Sequence, residues 1–315
     1  MSAEELHMTY GNVLTAGAGP SRWRVWLEAS RPFSFTASVT PVLIGSVLAA
    51  IDGPFYGGRF FLALFGSLFI QVGTNMINDY YDYVNGVDTP ETLGPSQVIQ
   101  RGLLTADDMF WGGIVTFGIG SVFGLILVAL CGWPILALGF VSVLAGYFYT
   151  ASPLSLAYIA LGEATVFIFM GPVIVMGAYF VQREMFTFTS FLISLPVACL
   201  VASILHANNI RDLPSDKERG KSTLATVIGR NAANWELLGL VYGAYVITVA
   251  LVLFGYAPWP ILLTLLTLRH AIPAVRIPFG TEKVDDLNEA LMCTVKSHLE
   301  YGVLLIVGLL LSRLL

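Results

Sequence analysis

The sequence predicts an all-α membrane protein, a polytopic bundle of about nine transmembrane helices with cytoplasmic cap loops. Three observations lead there. Of 315 residues, 56% are hydrophobic and only 12% charged, with a mean hydropathy of +0.75. A soluble chain of this length carries about a quarter charged residues, so a large soluble α/β enzyme is set aside. Apolar stretches of about 17–25 residues, long enough to cross a bilayer, recur along the chain. Finally, acidic clusters stand at the ends of two of these stretches, where carboxylates are costly to place and mark function.

The N-terminal stretch Met1–Pro20 is polar and rich in small residues, and reads as a disordered tail. It lacks a basic segment followed by an apolar run, so no cleavable signal peptide is expected. Residues 21–315 then form one intramembrane domain. The spans are read at Phe33–Ile51, Arg59–Asp79, Phe110–Leu130, Pro134–Thr150 and Tyr158–Val181. Four more follow at Phe188–Asn209, Ala233–Gly255, Pro258–Arg276 and Cys293–Leu314. Ser152-Pro153 is the breaker that splits the fourth from the fifth. Cys131, Cys199 and Cys293 have neither CxxC nor zinc-type spacing, and are assigned to packing. Gly118, Gly120 and Gly124 are read as positions of close helix packing.

Lys and Arg orient the bundle, whereas the net charge of −5 says little. It also gives no basic footprint for a nucleic-acid partner. Arg22, Arg24 and Arg31 precede the first span, and Arg101 follows the second. Arg211, Lys217, Arg219, Lys221 and Arg230 follow the sixth, and Arg269, Arg276 and Lys283 lie at or beyond the end of the eighth. The opposite side offers only Arg59, Arg183 and Arg313. The positive-inside rule places the N-terminus in the cytoplasm and the C-terminus outside, as in a bacterial-type inner membrane. Both acidic clusters then face the cytoplasm. So do the long loops Tyr83–Met109 and Leu213–Ala232, which are expected to act as lids or substrate-binding elements.

The first cluster reads Asn78-Asp79-Tyr80-Tyr81-Asp82, then Asn85-Gly86-Val87-Asp88. Gln71, Asn75, Asn78 and Asp82 follow helical spacing and make one polar stripe on an apolar helix. Such a stripe faces the bundle interior or a water-filled cavity. Gln71 and Asn75 also suit interhelical hydrogen bonding. Asp79, Asp82 and Asp88 are too many for that role, and hard carboxylate oxygens suit Mg²⁺. Gly86 breaks the helix and returns Asp88 toward Asp82. Tyr80, Tyr81 and Tyr83 read first as an interfacial aromatic belt.

The second cluster, Asn208-Asn209-Ile210-Arg211-Asp212-Leu213-Pro214-Ser215-Asp216, is followed by Lys217, Arg219 and Lys221. Asn208, Asp212 and Asp216 share a face if the helix persists, although Pro214 is expected to kink or end it. Glu218 and Arg219 read as ordinary solvated charge. Carboxylates interleaved with cations are what a Mg²⁺–diphosphate needs: Asp oxygens for the metal, Lys and Arg for the phosphates. A lipid diphosphate with its tail among the helices, ionised at an allylic carbon and captured by an electron-rich acceptor, fits this composition. A cation transporter is the alternative from another class, and it calls for acidic groups near the bilayer midplane on inverted repeats.

The motif Asn78-Asp79-x-x-Asp82 with a following Asp, together with Asp212-x-x-x-Asp216, resembles the UbiA superfamily of intramembrane prenyltransferases. Finer features resemble its 1,4-dihydroxy-2-naphthoate branch, which serves menaquinone synthesis. These are Gly86-Val87-Asp88, Leu161-Gly162-Glu163, and Asn208-Asn209-Ile210-Arg211-Asp212 with Gly220-Lys221-Ser222-Thr223-Leu224. In the 4-hydroxybenzoate branch an Asp stands where this chain has Gly86. That branch also has a Lys shortly after a Tyr, where Tyr147-Phe148-Tyr149-Thr150-Ala151-Ser152-Pro153 has none. The resemblance implies that Asn78, Asp82, Asp88, Asp212 and Asp216 hold Mg²⁺ and diphosphate, joined by Asp79. It implies that Lys221 and Arg211 assist the phosphates, with Asn75, Asn208, Lys217 and Tyr149 contacting substrate. The implied partners are a polyprenyl diphosphate, an aromatic acceptor such as 1,4-dihydroxy-2-naphthoate (or a homogentisate-like precursor), and membrane lipid.

Several residues keep two readings. Glu163 either stabilises a helix dipole or contacts the acceptor and its phenolic proton. Arg31 is a topology determinant or an anchor for the acceptor carboxylate. Arg101 is a topology determinant or a more distant phosphate partner. His206 is read as a packed, hydrogen-bonded histidine.

Overall fold

A computed structural model describes residues 20–89 and 96–314. The expected tail at Met1–Pro20, apart from Pro20 itself, lies outside the described residues, as do Gly94 and Pro95. Among the described residues the regular structure is helical, and the one β-type pairing is an isolated bridge between Ile159 and Ser222.

A short helix, α1 (Arg22–Ala29), precedes the bundle and was not foreseen; it exposes Trp23 and Leu27 while burying Val25 and Ala29. Then come α2 (Thr36–Asp52, entered through a 3₁₀ turn at Pro32–Phe35), α3 (Gly57–Val84), α4 (Ala106–Cys131) and α5 (Trp133–Tyr147). The second half contains α6 (Gly162–Arg183), α7 (Phe188–Glu218), the short α8 (Leu224–Ile228) and α9 (Arg230–Leu253). It closes with α10 (Trp259–Gly280, 3₁₀ in its first half) and α11 (Val284–Leu311).

Among the described residues, eight helices are long and apolar enough to span a membrane, and α5 is a shorter apolar helix of 15 residues. The expected span Pro134–Thr150 is thus cut short at Tyr147, about 22 Å of helix against a hydrocarbon core of about 30 Å. The protein is an integral membrane protein. Its outer surface agrees, since Phe61, Trp111, Leu125, Phe140, Val246 and Leu253 are exposed apolar groups suited to lipid.

Local chemistry sets the ends of these elements. Thr105 and Asp108 form a reciprocal capping box at the start of α4, and Thr187 and Thr223 cap α7 and α8. Gly132, at φ 87°, makes the reversal between α4 and α5 in a backbone region other residues avoid. Pro172 lies within a five-residue π segment, Phe169–Val173, that interrupts α6. Proline supplies no backbone N–H, and such bulges absorb the mismatch.

Pro214 behaves differently from the expectation. α7 continues through it to Glu218, nine residues past the expected end at Asn209. The last span likewise begins at Val284 rather than Cys293. Hydropathy finds the lipid-embedded part of a helix, and both helices run on into polar sequence that keeps helical geometry.

Helix α3 packs along α4, α7 against α9 and α11, and α2 against the second half of α6. The main core gathers Ile44, Val175, Leu200, Ile210, Leu237 and Leu305. One interior polar network joins three helices: Tyr245 bonds Thr267 and Ser297 at 2.7 and 2.9 Å, tying α9, α10 and α11 together. Side-chain hydrogen bonds of this kind help hold neighbouring membrane helices together.

Candidate active site

One cavity of about 440 Å³ opens where the long ends of α3 and α7 meet, and its lining joins both acidic clusters. Its polar end presents Asp82, Asp88, Asp212 and Asp216 with Arg31, Arg219 and Lys221. Its deeper walls are mostly apolar, and include Ile70, Val166, Phe169, Met170 and Ile174.

The first cluster is built by the end of α3 and the turn after it. Asn78 donates to Asp82 Oδ2 at 2.9 Å, one helical turn along. Gly86, at φ 70°, reverses the chain, and the amides of Val87 and Asp88 both donate to the Asp82 carbonyl, at 2.8 and 3.0 Å. Asp88 is therefore folded back against Asp82, as the glycine predicts. Burial, and then the neighbouring Asp82 charge, push the Asp88 carboxyl above its ordinary pKa.

The second cluster is built by the extension of α7. Asn208 donates to Asp212 Oδ2 at 3.1 Å, and Arg211 clamps both Asp212 oxygens at 2.7 Å. Arg211 also donates to Asn208 Oδ1 and Asn288 Oδ1, at 2.8 and 3.0 Å. It thus orients a carboxylate and does not itself line the cavity. Because the helix persists, Asn208, Asp212 and Asp216 all line the cavity.

Cap loops fasten the two halves together. Arg219 donates to the Val87 carbonyl and to Thr89, tying the end of α7 to the turn after α3. Ala160 donates to the Ser222 carbonyl at 2.7 Å, and the Ile159–Ser222 bridge lies beside it. That pairing sets Lys221 over the Tyr158 ring, 5.2 Å from its centre, with Nζ 3.8 Å from Asp82 Oδ2. Tyr158 in turn donates to Asp82 Oδ1. Burial works against the Lys221 charge, but Asp82 and then Asp216, Asp88 and Asp212 outweigh it, so the ammonium is held above its ordinary pKa. Burial and Asp82 likewise push the Tyr158 hydroxyl up, keeping it a donor.

The other expected site residues divide. Asn75, Arg31 and Tyr149 line the cavity. Asp79 does not. It is 4% exposed, pairs with Arg31 and accepts from Ser96, so it latches the loop after α3 to the entry of α2. Arg101 pairs with Glu28 and the Ser96 carbonyl, away from the cavity. Lys217 is exposed and also lies off the cavity. Glu163 is buried just behind the wall, accepting from Asn209 and bonded to His206 Nδ1, both at 2.9 Å. His206 is packed and hydrogen-bonded as its setting predicts, its other nitrogen donating to the Ala233 carbonyl at 2.9 Å.

Arg219, Asn209 and Tyr158 are the cavity or cluster residues that sequence reading passed over. Arg219 looks like solvated charge until α7 is extended. Tyr158 enters only through the pairing of two loops distant in sequence, which no local spacing reveals.

Fold and site together define a polytopic helical membrane enzyme whose cavity joins an apolar chamber to an acid–base mouth. Residues 38–283 match the UbiA prenyltransferase family, and the chain belongs to that family. It is a prenyltransferase. It is 34% identical over 303 residues to the 1,4-dihydroxy-2-naphthoate octaprenyltransferase of Bacillus subtilis (strain 168), covering 96% of this chain and 97% of that one. To the Escherichia coli (strain K12) protein of the same name it is 32% identical, over 93% and 97% of the two chains. Human UbiA prenyltransferase domain-containing protein 1 is 30% identical, over 91% and 83%. A solved UbiA homolog from Aeropyrum pernix K1 superposes with a TM-score of 0.67 at 15% identity, over 89% and 98%. One from Archaeoglobus fulgidus, bound to GPP and Mg²⁺, gives 0.62 at 15%, over 90% and 99%. These two share the fold.

Proposed function

We propose that the protein transfers a polyprenyl group from its allylic diphosphate to 1,4-dihydroxy-2-naphthoate, releasing diphosphate and CO₂, as a step of menaquinone synthesis. The observation that supports this most is the joining of both acidic helix ends around one apolar-walled cavity. Relatives named for that reaction, similar along nearly their whole length, support the choice of acceptor. The concentration of Lys and Arg at this end supports a cytoplasmic mouth, with the N-terminus inside.

The residues present fit Mg²⁺. The four carboxylates at the cavity mouth are hard oxygen donors. Among the described residues no three His, Cys, Asp or Glu side chains form a closed metal cage. Mg²⁺ commonly takes one or two carboxylates and fills its remaining positions with substrate phosphate and water. Asp82, Asp88, Asp212 and Asp216 would hold it, with Asn78 as an oriented neighbour. When bound, the metal supplies positive charge to the departing diphosphate.

The chain's own residues do the rest. Asn78 and Tyr158 fix the Asp82 carboxylate, and Asn208 with Arg211 fixes that of Asp212. Lys221 and Arg219 stand at the mouth to meet phosphate oxygens. The allylic C–O bond breaks with its electron pair leaving on diphosphate. The apolar walls keep water from the carbocation until the aromatic ring captures it. Overall the ring gains the prenyl carbon and loses its carboxylate as CO₂.

The test is direct. Purified protein is given an allylic diphosphate, Mg²⁺ and, side by side, 1,4-dihydroxy-2-naphthoate, homogentisate and 4-hydroxybenzoate, with products followed by mass spectrometry. Prenylated, decarboxylated naphthoquinol is expected to dominate. Preference for another acceptor overturns the substrate assignment, and turnover without divalent metal overturns the metal assignment.

A further inference from the structure

Among the described residues four asparagines line the cavity, and they are wired in two different ways. Asn78 and Asn208 have both ends occupied: each donates to an aspartate, and each carbonyl accepts from an arginine, Arg31 and Arg211 respectively. They belong to the acidic clusters.

Asn75 on α3 and Asn209 on α7 are wired otherwise. The Asn75 amide nitrogen donates to the Ser30 carbonyl at 3.2 Å and to Ser34 Oγ at 3.1 Å. A backbone carbonyl only accepts, so this end of the side chain is the NH₂ group. The Asn209 amide nitrogen donates to Glu163 Oε1 at 2.9 Å. Oε1 also meets His206 Nδ1 at 2.9 Å, and His206 Nε2 donates to the Ala233 carbonyl. With Nε2 committed as a donor, one proton lies between Nδ1 and Glu163 whichever atom carries it. Oε1 accepts from Asn209 in either case. Both carboxamides are thereby locked with nitrogen toward protein. Asn209 is only 7% exposed. In both asparagines the carbonyl oxygen is the unbonded polar atom on a residue that lines the cavity.

We infer that the carbonyl oxygens of Asn75 and Asn209 are the selectivity groups for the aromatic acceptor, each accepting a hydrogen bond from a ring hydroxyl. A locked acceptor rewards a hydroxyl donor and leaves an ether or a ring C–H unrewarded. Two such oxygens, from the two helices that carry the acidic clusters, suit a ring with two hydroxyl donors. Glu163, with His206 behind it, is a positioning residue for Asn209, and the Ser30 carbonyl positions Asn75. This inference rests on the proposed aromatic acceptor and adds which protein atoms read it.

The experiment measures KM for 1,4-dihydroxy-2-naphthoate and for its two monomethyl ethers, at saturating allylic diphosphate and Mg²⁺. Wild type is expected to favour the dihydroxy compound roughly fivefold over each ether, the value of one hydrogen bond. Asn75→Ala and Asn209→Ala are each expected to erase the discrimination at one hydroxyl, with KM for the prenyl diphosphate unchanged. Glu163→Leu should copy the Asn209→Ala selectivity, losing discrimination at the same hydroxyl, a change that a general loss of stability would not produce. Equal wild-type KM values for all three compounds overturn the inference even if no variant folds. So does unchanged discrimination in both asparagine variants. If wild type prenylates no hydroxylated aromatic at all, the functional reading falls and takes this one with it. Prenylation of the naphthoate without discrimination removes this one alone.

Discussion

Asn208 donates to Asp212 across one turn of α7, at 3.1 Å, and fixes which way that carboxylate points into the cavity. Asn78 does the same for Asp82 on α3, at 2.9 Å. Each pair is a side chain one turn before the aspartate it orients, and each asparagine is itself held by an arginine. A metal-binding carboxylate is useful only when its orientation is fixed before the metal arrives.

Asp82→Ala and Asp212→Ala are each expected to lower kcat by at least about 10²-fold, the usual cost of losing one electrostatic group at a reacting centre. Both variants should stay monodisperse in detergent, because each aspartate sits at a cavity mouth and not in the apolar core. Asn78→Ala and Asn208→Ala should lose less, about 10-fold, and weaken Mg²⁺ affinity, as loss of a group that orients a ligand does. Steady-state rates against Mg²⁺ concentration check all four. Near-normal turnover in either aspartate variant removes that residue from the site.

Asp79 belongs to the same sequence motif but is expected to fail in a different way. It forms a buried ion pair with Arg31 and holds Ser96 of the following loop. Removing one partner of a buried pair costs about 3–5 kcal/mol, because the other charge is left unmatched. Asp79→Ala should therefore lower the melting temperature more than Asp82→Ala, because Lys221, the cation beside Asp82, keeps Asp216, Asp88 and Asp212 as neighbours. Thermal unfolding of both variants in detergent makes the comparison. A stable but inactive Asp79→Ala protein would place Asp79 among the catalytic groups after all.

Much of this was legible in the sequence because bilayer physics leaves strong marks. Apolar length gives the spans, the placement of Arg and Lys groups the long loops together, and Gly86 foretells the return of Asp88. What escaped depended on contacts between segments far apart in the chain. Asp79 and Asp82 look alike in sequence, and only the position of Arg31, 48 residues earlier, separates a latch from a cavity carboxylate. Helix α1 was missed because an eight-residue amphipathic helix carries no span-like apolar run. Pro214 was over-read, since proline's cost falls on the preceding turn and did not end α7.

Glycine spacing was also over-read, and this leads to a third prediction. On α4 a Cβ at Gly120 would approach the Gly66 carbonyl to 3.0 Å and Ile70 to 2.9 Å, whereas at Gly118 and Gly124 it would meet nothing within 4 Å. Gly120→Ala should destabilise by about 1–3 kcal/mol through overpacking of α3 against α4. Gly118→Ala should be neutral or stabilise by up to about 1 kcal/mol, through the lower helix propensity of glycine. Melting temperatures of the two variants should move in opposite directions or differ clearly in size.

Asp88 gives the last prediction, because the same feature that suits it to a cation strains the protein without one. Its carboxyl is held above the ordinary 3.8, by burial first and by Asp82 second. The sign follows from linkage. Between 3.8 and the raised value the folded state binds the proton more tightly than the unfolded state, so this group's contribution to stability falls as pH rises through that window. Asp88→Asn removes the titrating group while keeping its shape. In metal-free protein the variant should melt higher than wild type at pH 7, and the gap should close as pH approaches 4. Added Mg²⁺ with an unreactive diphosphate should then raise the melting temperature of wild type and do little for the variant, which is also expected to have lost activity. Two melting curves with the same pH dependence would show that Asp88 carries no such strain and is not held for a cation.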